Sequence, residues 1–200
     1  MNVNTNVLKR FVIYMAILTF VMFTIWGFVR SFMDRPGGDY ETEVCDIRLK
    51  DKKYDQAIEA ANKALTKTPN HRGAVMCKAL VFISQKKYIE AENELTKLII
   101  FLEKNLDDDD KTGIGTLAAS YANRGIIKDR NKKYTEALKD YIKALGIDHE
   151  AVAGPGLGTI ILNYKFKSSS VRERALYLNE QLQLPEDERV LSIKELDEGQ

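Results

Sequence analysis

Cysteine, histidine and net charge are scarce in this chain of 200 residues, and each shortage removes a class of function. There are two cysteines and two histidines, and the formal charge is +1 at pH 7. Cys45 and Cys77 are too few for the disulfide framework of a small secreted scaffold. Neither H-x-x-x-H, HExxH nor CxxC occurs, so no metal site can be read from spacing. His71 and His149 lie at the ends of two similar segments, where solvated turns are the expected setting. Ser168, Ser169 and Ser170 have no histidine nearby in sequence to activate a nucleophile. Gly154, Gly156 and Gly158 lack the Gly-Lys-Ser/Thr that completes a phosphate loop, and read as a turn. The run Asp107 to Asp110 lacks the glycine and closing glutamate of an EF-hand, and reads as a solvated acidic loop. With 30 basic and 29 acidic residues evenly mixed, no electrostatic footprint for nucleic acid exists. No catalytic residue, cofactor, metal or small-molecule substrate is expected.

Apolar residues, at 44%, are ordinary in amount but not in distribution. From Phe11 to Val29 run 19 residues without a charge, FVIYMAILTFVMFTIWGFV. At about 1.5 Å per residue a helix of that length covers roughly 28 Å, close to a bilayer's hydrocarbon thickness. Tyr14 and Trp26 lie toward its ends, where amphipathic rings prefer the headgroup level. A chain this small has no core large enough to hide a helix that is apolar all round. The run exceeds the roughly 7–15 residues of a signal-peptide core, and WGFVRSFMDRP offers no small-residue cleavage site. It contains no GxxxG to promote tight helix pairing. The expectation is an uncleaved transmembrane helix over residues 11–30, after a tail of residues 1–10 and before a linker of residues 31–39.

Residues 1–35 carry a net +3, which leaves −2 for residues 36–200. Lys9 and Arg10 precede the apolar run while Arg30 and Arg35 follow it, so the positive-inside bias is nearly balanced. The expected topology is a single-pass protein of a bacterial inner membrane with its C-terminal domain exported. A domain facing the cytoplasm is the alternative.

Beyond the linker the sequence repeats. KKYDQAIEAANKAL (52–65), KKYIEAENELTKLI (86–99) and KKYTEALKDYIKAL (132–145) share Lys-Lys-Tyr and an alanine three residues after the tyrosine. The shared alanines are Ala57, Ala91 and Ala137, at intervals of 34 and 46 residues, the second being 34 plus a 12-residue insertion. Small or apolar residues recur four and seven places later, at Ala61, Leu95 and Tyr141, then Ala64, Leu98 and Ala144. Twelve places before the alanines stand Cys45, Ala79 and Gly125, small enough for two helices to approach closely. Sixteen places before them Val75 and Tyr121 are large, whereas the first unit has Glu41. Pro69 closes the first unit.

This pattern resembles the tetratricopeptide repeat family, whose unit is a 34-residue helix–turn–helix. The resemblance implies an all-α fold of antiparallel hairpins stacked as a short right-handed solenoid, because one hairpin cannot bury its apolar face alone. The domain would span residues 40–188, with repeats at about 38–71, 72–105 and 118–151 and a degenerate capping repeat at 152–188, then a tail over 189–200. The insertion around FLEKNLDDDDKTGIG lengthens the second hairpin's last helix, and Asp110 is a candidate cap for the next. In the cap, AVAGPGLG turns the chain, TIILNYKF makes a short helix and VRERALYLNEQLQLPEDE an amphipathic one with Ala175, Leu178 and Leu182 buried. Cys45 and Cys77 fall in first helices of adjacent hairpins and could approach; two small buried residues are expected in preference to a disulfide.

In this family the first helices line a concave groove for an extended peptide or a partner helix. The resemblance places there Thr42, Asp46, Leu49 and Lys50, then Met76, Cys77, Leu80, Ile83 and Ser84, then Ala119, Ala122, Asn123, Ile126, Asp129 and Arg130. The family's carboxylate clamp does not carry over, because its places hold Thr42, Asp46, Cys77, Ala119 and Asn123, and no cation. The implied function is a membrane-anchored protein-binding scaffold or assembly factor, not an enzyme. An accessory subunit of a membrane enzyme complex and a cytosol-facing receptor for client proteins are the alternatives.

Overall fold

A computed structural model describes residues 5–33, 37–148 and 170–192 of the chain. The chain divides into two compact units, Met1–Gly37 and Gly38–Gln200. Among the described residues there are eight α-helices, one short 3-10 turn and no strand.

The first unit is helix α1, Thr5–Met33. Its stretch Asn6–Arg30 is long and apolar enough to cross a membrane, and every side chain along it is exposed. The threonine hydroxyls inside the stretch bond back to their own helix, Thr19 Oγ1 to the Met15 carbonyl at 2.7 Å and Thr24 Oγ1 to the Val21 carbonyl at 2.8 Å. A hydroxyl in hydrocarbon needs such an internal acceptor. Arg30 lies 5.2 Å from the ring centre of Trp26, pairing a cation with an aromatic face near the helix end. The helix starts before the expected span of residues 11–30 and encloses it.

The second unit is built of hairpins: α2 (Asp39–Lys50) with α3 (Tyr54–Lys67), α4 (Arg72–Ser84) with α5 (Tyr88–Asn105), and α6 (Lys111–Arg130) with α7 (Tyr134–Ile147). Each second helix packs on the next first helix, and α2, α4 and α6 neighbour one another in turn. The shared Lys-Lys-Tyr makes the same turn three times. Lys52, Lys86 and Lys132 take left-handed backbone at φ 58°, 59° and 61°. The following lysines, Lys53, Lys87 and Lys133, donate their N–H groups to the carbonyls of Arg48, Phe82 and Lys128 at 2.8–2.9 Å, closing the preceding helix in a Schellman motif. The carbonyls of these same lysines accept from Ala57, Ala91 and Ala137 at 2.9–3.1 Å, which starts the next helix. One short link, such as that between Lys50 and Tyr54, therefore ends one helix and begins another.

Packing between helices follows the size of facing residues. The shared alanines and the residues four places on, Ala61, Leu95 and Tyr141, are all 0% exposed. Opposite them, Cys45 shares a cluster with Ala61, Ala79 with Leu95, and Gly125 lies against Tyr141. As the second helix offers a larger residue, the first offers a smaller one. A methyl added at Gly125 would stand 2.6 Å from a Tyr141 ring carbon. Glu41, the misfit of the first unit, is held by Lys67 at 2.7 Å.

The insertion is helical. α5 has 18 residues against 14 in α3 and α7, and α6 has 20 against 13 in α4. Leu98, Ile99 and Leu102 of α5 pack on Leu117, Ala118 and Tyr121 of α6, so the extra turns enlarge the core. Asp110 caps α6 by accepting from the Gly113 N–H at 2.8 Å, as expected from the sequence. It also pairs with Arg72, whose guanidinium holds the carboxyl below the ordinary aspartate range. The acidic loop is thus solvated only in part.

Two other expectations are corrected. His71 is not a solvated turn residue. Its Nδ1 accepts from the Ala74 N–H at 3.2 Å, capping α4, and its Nε2 lies 2.8 Å from Asp39 Oδ1. Cys45 and Cys77 are not two reduced side chains but a disulfide, with Cα atoms 6.4 Å apart. The stacking of α2 on α4 brings the two Cβ atoms within reach of one bond. The first hairpin's interior is mostly alanine, at 57, 60, 61 and 64, so it buries little apolar area of its own.

Helix α8, Val171–Gln183, packs on α7 as each earlier first helix packs on the second helix before it. Ser170 and Glu173 form a capping box at its start, which accounts for one of the three serines. Ala175 and Leu178 are buried as expected, and Leu182 is half-buried. The segments AVAGPGLG and TIILNYKF, together with His149, Ser168 and Ser169, lie outside the described residues.

Two outcomes test this packing. Gly125→Ala should lower unfolding free energy by about 1–3 kcal/mol in a denaturant titration, because the added methyl meets the fully buried Tyr141 ring at 2.6 Å and the Ala137 carbonyl at 3.3 Å. Cys45→Ser with Cys77→Ser should cost roughly 2–4 kcal/mol, and the wild-type thiols should react with maleimide only after reduction.

Candidate functional site

The residues expected to line one groove separate into two spaces of opposite character. The first lies among α2, α4 and α6 and has a volume of about 430 Å³. Of the expected set it gathers Thr42, Asp46, Met76, Cys77, Leu80 and Ala119. Met76 and Leu80 supply a half-buried apolar floor. The Thr42 hydroxyl donates to the Gly38 carbonyl at 2.9 Å and is spoken for. Asp46 is exposed at the mouth, yet desolvation by the neighbouring wall raises its carboxyl above the ordinary aspartate range, with Lys50 opposing. Gly73, Thr112, Gly115 and Thr116 complete the wall.

Those last three residues were missed from sequence because the repeat frame starts the third unit at residue 118. The signal was nevertheless present. Asp110 was identifiable as a cap, and a helix capped there must carry residues 112–116 alongside α4.

The second space, of about 700 Å³, lies at the Lys-Lys-Tyr edge. It takes Ile83, Ser84, Asp129 and Arg130 from the expected set and adds Lys86, Tyr88, Lys132, Tyr134, Arg174 and Ser192. Arg130 lies 5.8 Å from the centre of the Tyr88 ring. Asp129 is 6% exposed and is fully engaged: Arg174 Nε and Nη2 donate to its two oxygens at 2.7 and 2.8 Å, and the Tyr141 hydroxyl donates at 3.2 Å. Burial, with Asp129 beside it, pushes the Tyr141 phenol far above its usual range. No pattern in the repeat frame pointed to Arg174, because its partner lies 45 residues away.

Three expected groove residues are therefore not available to a partner. Cys77 is 1% exposed and bonded, Ala122 is 6% exposed in the core, and Asp129 is committed to Arg174. Leu49, Lys50, Asn123 and Ile126 line neither space. Asn123 donates instead to the Ala119 carbonyl at 2.8 Å.

Behind the groove, α6 and α7 are joined by a charged cluster. Arg124 grips Asp140 with two bonds of 2.8 Å, and Lys128 reaches the same carboxylate at 2.8 Å. Tyr121 donates to Glu103 at 2.5 Å, and burial together with that carboxylate pushes its phenol up to about 12.

No protein-family model and no curated protein matches the sequence. Solved structures do. An Arabidopsis OM64 TPR domain is 19% identical over 57% of this chain and 84% of its own, with a TM-score of 0.48. The first TPR of Spaghetti (RPAP3), bound to the HSP90 peptide SRMEEVD, is 18% identical over 76% of this chain and 97% of its own, with a TM-score of 0.52. The second similarity, which spans nearly all of that domain, shows the fold: stacked antiparallel hairpins of the tetratricopeptide type.

The buried pair makes a direct prediction. Arg174→Met should destabilise the chain by about 3–5 kcal/mol, because Asp129 is left charged and buried. The double variant Arg174→Met, Asp129→Leu should recover most of that loss in the same thermal or denaturant measurement.

Proposed function

We propose that this chain is a membrane-anchored protein-binding module, a scaffold or assembly factor that captures a partner protein along α2, α4 and α6. The observation that carries the reading is the apolar-floored space bounded by Thr42, Met76, Leu80 and Ala119 on three successive first helices. Such a concavity takes a short peptide or one face of a helix, and Met76 and Leu80 offer adaptable apolar contacts. The RPAP3 domain of similar fold holds a peptide of HSP90. The family's carboxylate clamp is not transferred here, because no cation stands at Thr42, Asp46, Cys77, Ala119 or Asn123 to hold a carboxylate. The partner segment is accordingly apolar, and selection among partners comes from shape and from Asp46 at the mouth.

Helix α1 serves as the anchor, through residues 11–30. The Cys45–Cys77 disulfide supports a domain on the exported side of a bacterial inner membrane, since structural disulfides persist in oxidising compartments and are rare in the cytosol.

Full-length chain purified in mild detergent, with identification of what accompanies it, tests the groove. Leu80→Asp should cut partner capture by about tenfold or more while helicity is retained. Exchange of α1 for an unrelated transmembrane helix should leave capture intact. The opposite pattern would sink the groove reading in favour of an accessory subunit held through its membrane helix.

A further inference from the structure

Each first helix after α2 carries the preceding second helix on one side: α3 packs on α4, α5 on α6 and α7 on α8. The residues under that cover can be named. Val81 of α4 shares a cluster with Ala60 and Ala61 of α3, and Ile127 of α6 shares one with Ala91 and Leu95 of α5. Two turns earlier, Ala74 and Ser120 hold equivalent places in the repeat frame. All four of Ala74, Val81, Ser120 and Ile127 are 0% exposed.

Helix α2 opens its unit, so no hairpin precedes it there. In the 34-residue frame Tyr40 corresponds to Ala74 and Ile47 to Val81, yet Tyr40 is 66% exposed and Ile47 49%. Val44, half-buried, stands between them at helical spacing, so the three form one stripe. A neighbouring position agrees with this register. Cys77 is buried where α2 stacks on α4, whereas its counterpart Glu43 is exposed. The end of a solenoid needs a polar outer face to stay soluble, but α2 carries there the large apolar residues of an interior unit. Thr42 and Asp46 reach the apolar space from another side of α2, so the stripe is distinct from the groove.

We propose that the outer stripe of α2, centred on Tyr40 and Ile47, docks an amphipathic helix of a separate protein, which takes the place on α2 that α3 takes on α4. The occupant follows from continuity with the joints already described, since a second helix covers the same positions at each of them. Its apolar stripe is of small residues. Tyr40 is far larger than Ala74 or Ser120, and this chain answers a bulky tyrosine with a small residue, as Gly125 lies against Tyr141. A second copy of this chain has no such helix to offer: among the described helices α3, α5 and α7 each already carry a first helix. An anionic lipid surface is a poor match, because α2 begins with Asp39, Glu41 and Glu43. The stripe is thus a second interaction surface, independent of the partner captured in the groove.

The test uses the full-length chain and a probe of the stated chemistry, a fluorescein-labelled peptide with the sequence of α3, YDQAIEAANKALTK. A free helix of this length is marginal, so a lactam joins its Glu59 and Lys63 side chains, which already pair at 2.7 Å and are exposed. In anisotropy titrations the chain should bind the probe in mild detergent and equally in lipid nanodiscs. Tyr40→Asp with Ile47→Asp should weaken binding by about tenfold or more, with circular dichroism unchanged. If that variant fails to fold, Tyr40→Ser with Ile47→Ser takes its place. Leu80→Asp should leave probe binding intact, so this inference and the groove reading fail separately. Absence of binding overturns the proposal, as does equal binding of a scrambled peptide. Binding that ignores Tyr40 and Ile47 also overturns it, because the probe would then be displacing α3. Binding in detergent that is lost in nanodiscs would assign the stripe to the bilayer surface instead. A dimer of the chain that the double variant abolishes would assign it to a second copy, and either result sinks the separate partner.

Discussion

A helical hairpin has two apolar faces and can cover only one of them with its own second helix. The uncovered face must find a neighbour, and in this chain that requirement organises the described helices after Gly38. It explains why the facing residues match in size, with glycine against tyrosine where the second helix is bulkiest and cysteine against alanine where it is slimmest. It also explains why the insertion between the second and third units is helical. Extra residues there add Leu102 on one side and Leu117 on the other to the same joint.

The three joints of the stack are fastened by different chemistry. Between the first and second hairpins the interior is alanine, which buries little area, and the disulfide supplies what packing does not. Between the second and third, leucine, isoleucine and tyrosine form the largest cluster. At the last joint, α8 contributes Ala175 and Leu178 but also sends Arg174 to Asp129, a buried ion pair. Such a pair adds little net stability against an apolar substitute, yet it fixes the position of α8 because a shift would strand both charges. That choice has a consequence at the surface. Arg174 and Ser192 both line the second space.

The binding surface inherits this unevenness. Toward the start of the stack the first helices enclose an apolar floor at Met76 and Leu80; toward its Lys-Lys-Tyr edge they meet lysines, arginines and tyrosines. A single continuous groove, as the repeat frame implied, would present one chemistry along its length. The lysine turns contribute to the difference, since Lys86 and Lys132 line the second space.

Much of this was legible in the order of residues alone. A charge-free run of 19 residues determines a helix of membrane-spanning length, because the relation between length and rise is local. The 34-residue spacing, through its resemblance to the tetratricopeptide repeat, implied the hairpins, and the small residues at the family's close-approach position implied where the helices touch. Six of the fifteen expected groove residues do line the apolar space, and four more line the cationic one. What the order of residues could not decide was any pairing between distant elements. Cys45 meets Cys77 only because α2 stacks on α4, His71 leaves solvent only because Asp39 arrives beside it, and Asp129 becomes a structural anchor only when α8 brings Arg174. Periodicity reports which face of a helix is apolar. It carries no information on which polar group another helix will bring to that face, and here those arrivals committed Cys77 and Asp129 to internal partners.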